Sequence, residues 1–257
     1  MTSTDSMRLI PDSLELTQCI ELCRTNDTCR AINYETGLCV LLTTSAVQRP
    51  DALREAQFPI FTIYAQKVCH PHSISSRCDG KWTYERVISH RLTVKPYRQV
   101  MVPTREKCIE ICLRENSLNC RSVNYNVYTG DCALLDKDRF SSTGPLGGLQ
   151  LLTPDPTYDY LESNCVDQPM KICEFTKLQG YVLKTVDSMY PDITTLDACK
   201  RKCIENTYRC RSFDLGDGKN NVCRMSHLTQ ASSVHIRQPY MEVDGAATYE
   251  VDNCYNG

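Results

Sequence analysis

The sequence predicts an α+β protein made of three small disulfide-stapled domains in tandem. Three observations predict it: a cysteine pattern that occurs three times, a helix-like Cys-x3-Cys step that opens each copy, and an alternating run after the fourth cysteine that reads as a hairpin. The middle copy reads Cys108-Ile-Glu-Ile-Cys112, Cys120-Arg-Ser-Val-Asn-Tyr125 and Cys132-Ala-Leu-Leu135. Upstream stand Cys19-Ile-Glu-Leu-Cys23, Cys29-Arg-Ala-Ile-Asn-Tyr34 and Cys39-Val-Leu-Leu42, and downstream Cys199-Lys-Arg-Lys-Cys203, Cys210-Arg-Ser-Phe-Asp-Leu215 and Cys223-Arg-Met-Ser226. The period of about 90 residues exceeds that of solenoids and matches a small domain, so each repeat is expected to fold alone.

Composition sets the class. A chain of 257 residues with 41% hydrophobic and 23% charged residues and a mean hydropathy of -0.38 belongs to folded proteins rather than disordered or membrane ones. A net charge of -2 gives no global attraction to nucleic acid or acidic lipid. Seventeen cysteines in repeats are expected where disulfides persist, which predicts an extracellular protein, secreted or a cell-surface ectodomain. Met1 to Ile10 (MTSTDSMRLI) lacks a basic start followed by an apolar run, and no apolar stretch approaches the roughly 20 residues that span a bilayer. Set beside the cysteine density, these features predict a fragment or mature segment of a longer chain.

The first domain is expected over 1–69, the second over 78–165 and the third over 173–254. Repeats two and three each hold six cysteines, at 78, 108, 112, 120, 132, 165 and at 173, 199, 203, 210, 223, 254. Repeat one holds five, at 19, 23, 29, 39 and 69. They match the second to sixth positions, so Cys69 is expected to be unpaired because its partner lies before Met1; an intermolecular bridge is the alternative.

Cysteines four residues apart put both sulfurs on one face of a helix. Thr104 and Thr195 precede two of these helices and are expected to cap them, although Lys107 leaves the capping box of Thr104 incomplete. In repeat two, Cys108, Ile109, Ile111, Cys112 and Leu113 make a buried stripe, with Glu106, Glu110 and Arg114 expected on the wet face. A short amphipathic helix needs a sheet to cover it. Hairpins follow in Arg30 to Leu42 around Thr36-Gly37, in Arg121 to Leu135 around Thr129-Gly130-Asp131, and in Arg211 to Met225 around Gly216-Asp217-Gly218. Tyr64, Tyr160 and Tyr249 each stand five residues before the last cysteine of their repeat. Their common register predicts a strand residue packed on the helix. Connections at His70 to Arg77 and Val166 to Ile172 are short, and Ser141 to Gly148 reads as a surface loop.

A Cys-x3-Cys helix, a strand opened by Cys-Arg-Ser or Cys-Arg-Ala, a returning Cys-x-Leu or Cys-x-Met and a terminal Tyr-x4-Cys resemble the PAN or apple domain. The resemblance covers nearly the whole chain, three times. It implies a curved antiparallel sheet cradling one α-helix, with cysteines paired first to sixth, second to fifth and third to fourth. Carried over, this pairs Cys78 with Cys165, Cys108 with Cys132, Cys112 with Cys120, Cys173 with Cys254, Cys199 with Cys223, and Cys203 with Cys210. Repeat one would keep Cys19 with Cys39 and Cys23 with Cys29. Spacing by itself does not select among the connectivities. Repeat three departs at Leu215, where the others have Tyr34 and Tyr125, and at Arg224, where they have Val40 and Ala133, so divided labour among the repeats is expected.

Catalysis finds no support. Histidines 70, 72, 90, 227 and 235 form no HExxH, and no Gly-x-Ser-x-Gly is present. His70-Pro-His72 has too few ligands for a closed zinc site and reads as linker, so no cofactor is expected. Lys81, Arg86, Arg91, Lys95 and Arg98, followed by Arg105 and Lys107, outnumber nearby acids and would suit a sulfated glycan if they shared one face; the alternative is an ordinary solvated surface. Trp82 and Tyr84 are expected in the core. Asn26-Asp27-Thr28 is the chain's single N-glycosylation sequon, on an expected surface loop.

The wording and tandem spacing of the repeats most resemble PAN arrays in invertebrate zona pellucida-type apical extracellular matrix proteins. This implies a non-enzymatic structural or adhesive module that binds extracellular proteins or matrix. A glycan receptor and the regulatory apple region of a secreted protease are the alternatives.

Overall fold

The computed structural model describes residues 6–54, 61–71, 82–115, 120–140, 152–165, 172–206, 208–219, 221–233 and 235–255. Three antiparallel sheets each carry one helix. In repeat one, β1 (Ser6–Ser13) precedes α1 (Leu16–Arg24), then β2 (Ala31–Glu35), β3 (Gly37–Leu42) and β4 (Ile63–Gln66) follow, in the sheet order β1-β3-β2-β4. Repeat two runs β5 (Tyr84–Leu92), β6 (Arg98–Met101), α2 (Arg105–Arg114), β7 (Ser122–Asn126), β8 (Asp131–Leu135) and β9 (Leu152–Ser163), ordered β5-β9-β7-β8-β6. Repeat three runs β10 (Ile172–Leu183), β11 (Ser188–Tyr190), α3 (Leu196–Glu205), β12 (Ser212–Asp214), β13 (Cys223–Ser226) and β14 (Tyr240–Tyr255), ordered β10-β14-β12-β13-β11. The topology is the same three times, with four strands in repeat one and five in each of the others among the described residues.

Each helix is fastened to its sheet by the two cysteines one turn apart. Cys19, Cys108 and Cys199 bond to Cys39, Cys132 and Cys223 on the returning strand of the hairpin. Cys23, Cys112 and Cys203 bond to Cys29, Cys120 and Cys210 just before the outgoing strand. A seventh bridge, Cys173–Cys254, joins β10 to β14. Cys165 is also disulfide-bonded, while Cys78 lies outside the described residues.

These staples carry an apolar cluster between helix and sheet. In repeat two it gathers Cys108, Ile109, Leu113, Val123, Tyr125, Leu134 and Leu161, with Trp82 and Tyr84 against its edge. The α2 cap forms as its sequence suggests: Thr104 accepts a hydrogen bond from the Lys107 amide at 3.2 Å. Thr195 occupies the equivalent position before α3, but its side chain makes no cap bond. Glu110 departs from the wet-face expectation. It is 8% exposed and its carboxylate meets Lys107 and Arg114, both at 2.9 Å.

The three terminal tyrosines do not share one environment. Tyr64 pairs with Asn33 and Tyr160 with Asn124, whereas Tyr249 pairs with Phe213, one position earlier in its repeat. Side chains alternate along a strand, so this one-residue offset moves the ring to the other face. Tyr249 stacks on Phe213 at 5.3 Å on the helix side. Tyr160 is buried on the opposite side with Val87, Leu92 and Leu135. An irregularity in the β10–β14 ladder, where Glu174 meets Asn253 and Phe175 meets Val251, takes up the extra residue.

The chain forms two compact units, Met1–Cys69 with Gln168–Gly257, and His70–Asp167. Within the first, repeats one and three share a seam. Leu14 and Leu16 lie along the outer edge of β11, with Met189 N–H donating to Leu14 O and Leu16 N–H to Asp187 O, both at 2.8 Å. The second bond satisfies an amide at the start of α1, a helix whose N-cap residue Glu15 makes no side-chain cap bond. Glu15 instead accepts from the Tyr190 hydroxyl at 3.0 Å, and Tyr208 of repeat three is buried in the helix cluster of repeat one.

Candidate interaction site

The exposed features of repeat two gather at one end of its sheet. The β7–β8 turn is held rigidly: Asn126 Oδ1 accepts from the Tyr128 and Thr129 amides, each at 3.0 Å, and Gly130 N–H donates to Asn126 O at 3.0 Å. Gly130 adopts φ 77°, and a Cβ there would lie 2.4 Å from Val102 O, so the turn and the end of β6 approach too closely for any other residue. Met101 pairs with Asp131 beside this turn, and Val127 N–H reaches Thr157 O on β9 at 2.9 Å. The outcome is a fixed rim carrying Tyr128 (77% exposed), Met101 (68%) and Val127 (42%), with Ile88 (55%) toward the same end of β5. Tyr128 has few rotamers to lose on contact, and Tyr and Met are enriched where proteins meet. No periodic pattern in the sequence marks this rim, because its members come from different strands and one turn.

Four of the described cationic candidates already have carboxylate partners. Arg86 and Arg105 both pair with the buried carboxylate of Asp159, at 2.7 and 3.0 Å. Arg91 pairs with Asp155 at 3.2 Å and Arg98 with Glu115 at 3.0 Å. Lys95 is exposed, and Lys81 lies outside the described residues. Lys107 donates to Glu110, and this bond with the Arg114 charge holds the Glu110 carboxyl below the usual range.

A second charged group is buried rather than presented. Arg139 is fully enclosed and meets Glu162 at 2.6 Å and Glu85. The Tyr160 hydroxyl donates to Glu162 at 2.6 Å. Burial first, then the Glu162 charge, push the Tyr160 hydroxyl well up, so it remains a donor. This network fills the sheet face opposite α2 and offers nothing to a ligand.

On that same face the repeats differ in one instructive way. Asn124 clasps the end of β5, accepting from Leu92 N–H and donating to Leu92 O, both at 2.9 Å. Asp214 takes the equivalent place in repeat three and accepts from Leu183 N–H at 2.6 Å. A carboxylate cannot donate in return, and its charge is paired by Arg224 at 2.7 and 2.8 Å. The departure at Arg224 is thus the partner of a second one, Asp for Asn.

His70 packs near Trp82, with ring centroids 6.4 Å apart, and burial pushes its pKa down; His72 lies outside the described residues. Among the described residues no group of three or more His, Cys, Asp or Glu could hold a metal ion, and no helix is long and apolar enough to cross a membrane. Asn26 sits in the Cys23–Cys29 loop, its Oδ1 accepting from Thr28 N–H at 2.9 Å and Thr28 Oγ1 at 2.8 Å.

The sequence profile of the family described as the PAN domain matches this chain three times, over residues 3–76, 78–165 and 173–254. The chain belongs to the PAN domain family. Its three PAN domains lie in tandem, each with the sheet, helix and inner pair of disulfides described above. Protein let-653 of Caenorhabditis elegans is 27% identical over 149 residues, 53% of this chain and 17% of that protein, so the chain spans about a sixth of its relative. A likeness to the solution structure of the two N-terminal apple domains of Toxoplasma gondii microneme protein 4 has 15% identity and a TM-score of 0.22, and covers 61% of this chain and 80% of that one.

Proposed function

We propose that this array is a non-catalytic extracellular module that binds other proteins, and that repeat two supplies the binding surface through its apolar rim. Disulfide-rich PAN domains are interaction modules, and the density of cysteines in this chain suits an oxidising compartment. The resemblance of the repeats to PAN arrays of invertebrate apical extracellular matrix proteins, together with the likeness to a Caenorhabditis elegans protein, supports a setting in such a matrix. The carrying observation is the rigid rim of Met101, Val127, Tyr128 and Ile88.

Protein contact is favoured over a sulfated glycan because Arg86, Arg91 and Arg98 already have carboxylate partners. A sulfate would have to compete with Asp159, Asp155 and Glu115 for them. Asn26 is proposed as a glycosylation site on repeat one, where the loop leaves it half-exposed.

The test compares the full chain with a Met101→Ser, Tyr128→Ser variant for binding to matrix proteins from an invertebrate source. The variant should keep its melting temperature, lose about tenfold or more in affinity as central aromatic contacts do, and like the parent pass through heparin at physiological salt. Equal binding by the variant, or salt-dependent retention on heparin, would overturn the reading.

A further inference from the structure

The helix of repeat three reverses the charge that its sisters carry. Between the paired cysteines α1 has Ile20-Glu21-Leu22, α2 has Ile109-Glu110-Ile111 and α3 has Lys200-Arg201-Lys202. The middle residue stands two positions from either cysteine and so lies opposite them on the helix. In the sister repeats that residue is a glutamate neutralised within its own helix, Glu21 by Arg24 and Glu110 by Lys107 and Arg114. Arg201 is exposed, and among the described residues no carboxylate comes within ion-pair distance of it.

The flanking lysines are held apart on fixed supports. Lys200 Nζ lies 5.1 Å over the ring of Phe175 on β10, and Lys202 Nζ lies 4.7 Å over the ring of Tyr190 on β11. β10 and β11 are the two outer strands of the sheet, so the ammonium groups sit on either flank of the helix with Arg201 between them. Phe175 packs edge-on against Phe213 at 5.3 Å, and the Tyr190 hydroxyl donates to Glu15 at 3.0 Å. A cation resting on a ring already in place has lost part of its freedom before any partner arrives. Lys177, which pairs with Tyr249 across the β10–β14 ladder, adds an exposed fourth cation on the same face.

Two lysine stems covering aromatic rings would be ordinary packing. Packing does not account for a third cation between them, exposed and unpaired. Adjacent like charges repel, and a partner's negative charge would offset that cost.

We propose that this face of α3 binds an acidic segment of another protein, which crosses the helix so that its carboxylates meet Lys200, Arg201 and Lys202. The surface lies on repeat three and is additional to the rim of repeat two. Arg201 presents a fork to one carboxylate. The two lysines flank a helix about 10 Å wide, a span that about three residues of extended chain cover.

Two features favour an acidic peptide over a sulfated glycan. Each ammonium stands beside an aromatic ring, so apolar side chains between the acids find a surface to pack on. The cationic stretch is also short. Asp197 and Glu205 lie toward the two ends of α3, so a long polyanion would run off the cations onto like charges, whereas a short segment across the helix stops before them.

The probe is a fluorescein-labelled peptide with the core Glu-Leu-Glu-Glu-Leu-Glu, titrated with the full chain and read by anisotropy, beside a control in which every Glu is Gln. The acidic peptide should bind about tenfold or more tighter than the control at low salt, and weaken as salt rises. Arg201→Glu restores the charge of the sister repeats and should cost about tenfold or more in affinity. It should leave the melting temperature unchanged, since Arg201 is exposed. Lys200→Gln combined with Lys202→Gln, which keeps most of each stem over its ring, should weaken binding to a similar degree. The Met101→Ser, Tyr128→Ser variant should bind the peptide as the parent does, so failure here and failure of the rim are read separately. Equal binding of the two peptides, or binding unaffected by Arg201→Glu, would overturn the proposal. Retention on heparin that Arg201→Glu abolishes would assign the face to sulfated glycans and overturn it as well.

Discussion

Asp214 and Arg224 show how a single substitution in one repeat obliges a second. Asp214 is fully buried and Arg224 partly so, with side-chain exposures of 0% and 19%. Removing the arginine strands a carboxylate away from water, and Arg224→Ala should destabilise repeat three by about 3 to 5 kcal/mol. Adding Asp214→Asn recreates the pair found in repeat two, Asn124 and Ala133, and should recover most of that loss because a neutral amide can clasp both groups of Leu183. A double-mutant cycle by denaturant unfolding measures the coupling; additive losses would refute it. Glu250 offers a pH signature. Burial pushes its carboxyl up, against the opposing hydrogen bonds from the Tyr240 hydroxyl and the Gln230 amide. A raised folded pKa means the folded state holds the proton more tightly. Its contribution to stability is therefore full below the ordinary glutamate range and is lost as pH rises from that range through the raised value. Glu250→Gln should flatten this decline, and an unfolding series across pH would show an unchanged slope if the assignment were wrong.

At the scale of elements, the helices and hairpins were legible because they leave periodic marks. Cysteines a turn apart, the Ile109–Leu113 stripe and the Arg-Ser-Val-Asn-Tyr alternation each repeat with a fixed period. Register was not legible: Tyr64, Tyr160 and Tyr249 keep the same distance to their last cysteine, yet an irregular β10–β14 ladder turns the third onto the helix face. Distance along a chain does not count a bulge. Glu110 likewise fitted a wet-face pattern but is covered, since Lys107 and Arg114 let a carboxylate be enclosed without remaining unpaired. The carboxylate partners of the cations were hidden for a related reason. Asp159, Asp155 and Glu115 lie up to 73 residues from their partners in sequence, and counting charges within one segment cannot find them. The rim of Met101, Val127, Tyr128 and Ile88 is assembled by pairing between strands and had no mark in any single stretch.

The whole molecule is an array whose similar parts have different surroundings. Repeat one leans on repeat three through Leu14–Leu16 and Tyr208, a contact no repeat pattern announces because it is made between residues far apart in sequence. Tyr208→Ala, made in repeat three, should therefore lower the amide-exchange protection of α1 in repeat one. Truncating a buried aromatic typically costs about 3 to 5 kcal/mol, and loss of protection confined to repeat three would show that the seam carries no stability. Each domain is small, with a modest core, and its bridges hold it by restricting the unfolded chain, about 2 to 3 kcal/mol for the short loops and more for the long ones.

The three-repeat array depends on crosslinks that stay inside each repeat. Peptide mapping of the unreduced protein should recover Cys108 with Cys132, Cys112 with Cys120, Cys19 with Cys39 and Cys199 with Cys223, and leave Cys69 open to alkylation. A Cys108 peptide joined to a cysteine outside 78–165 would contradict it.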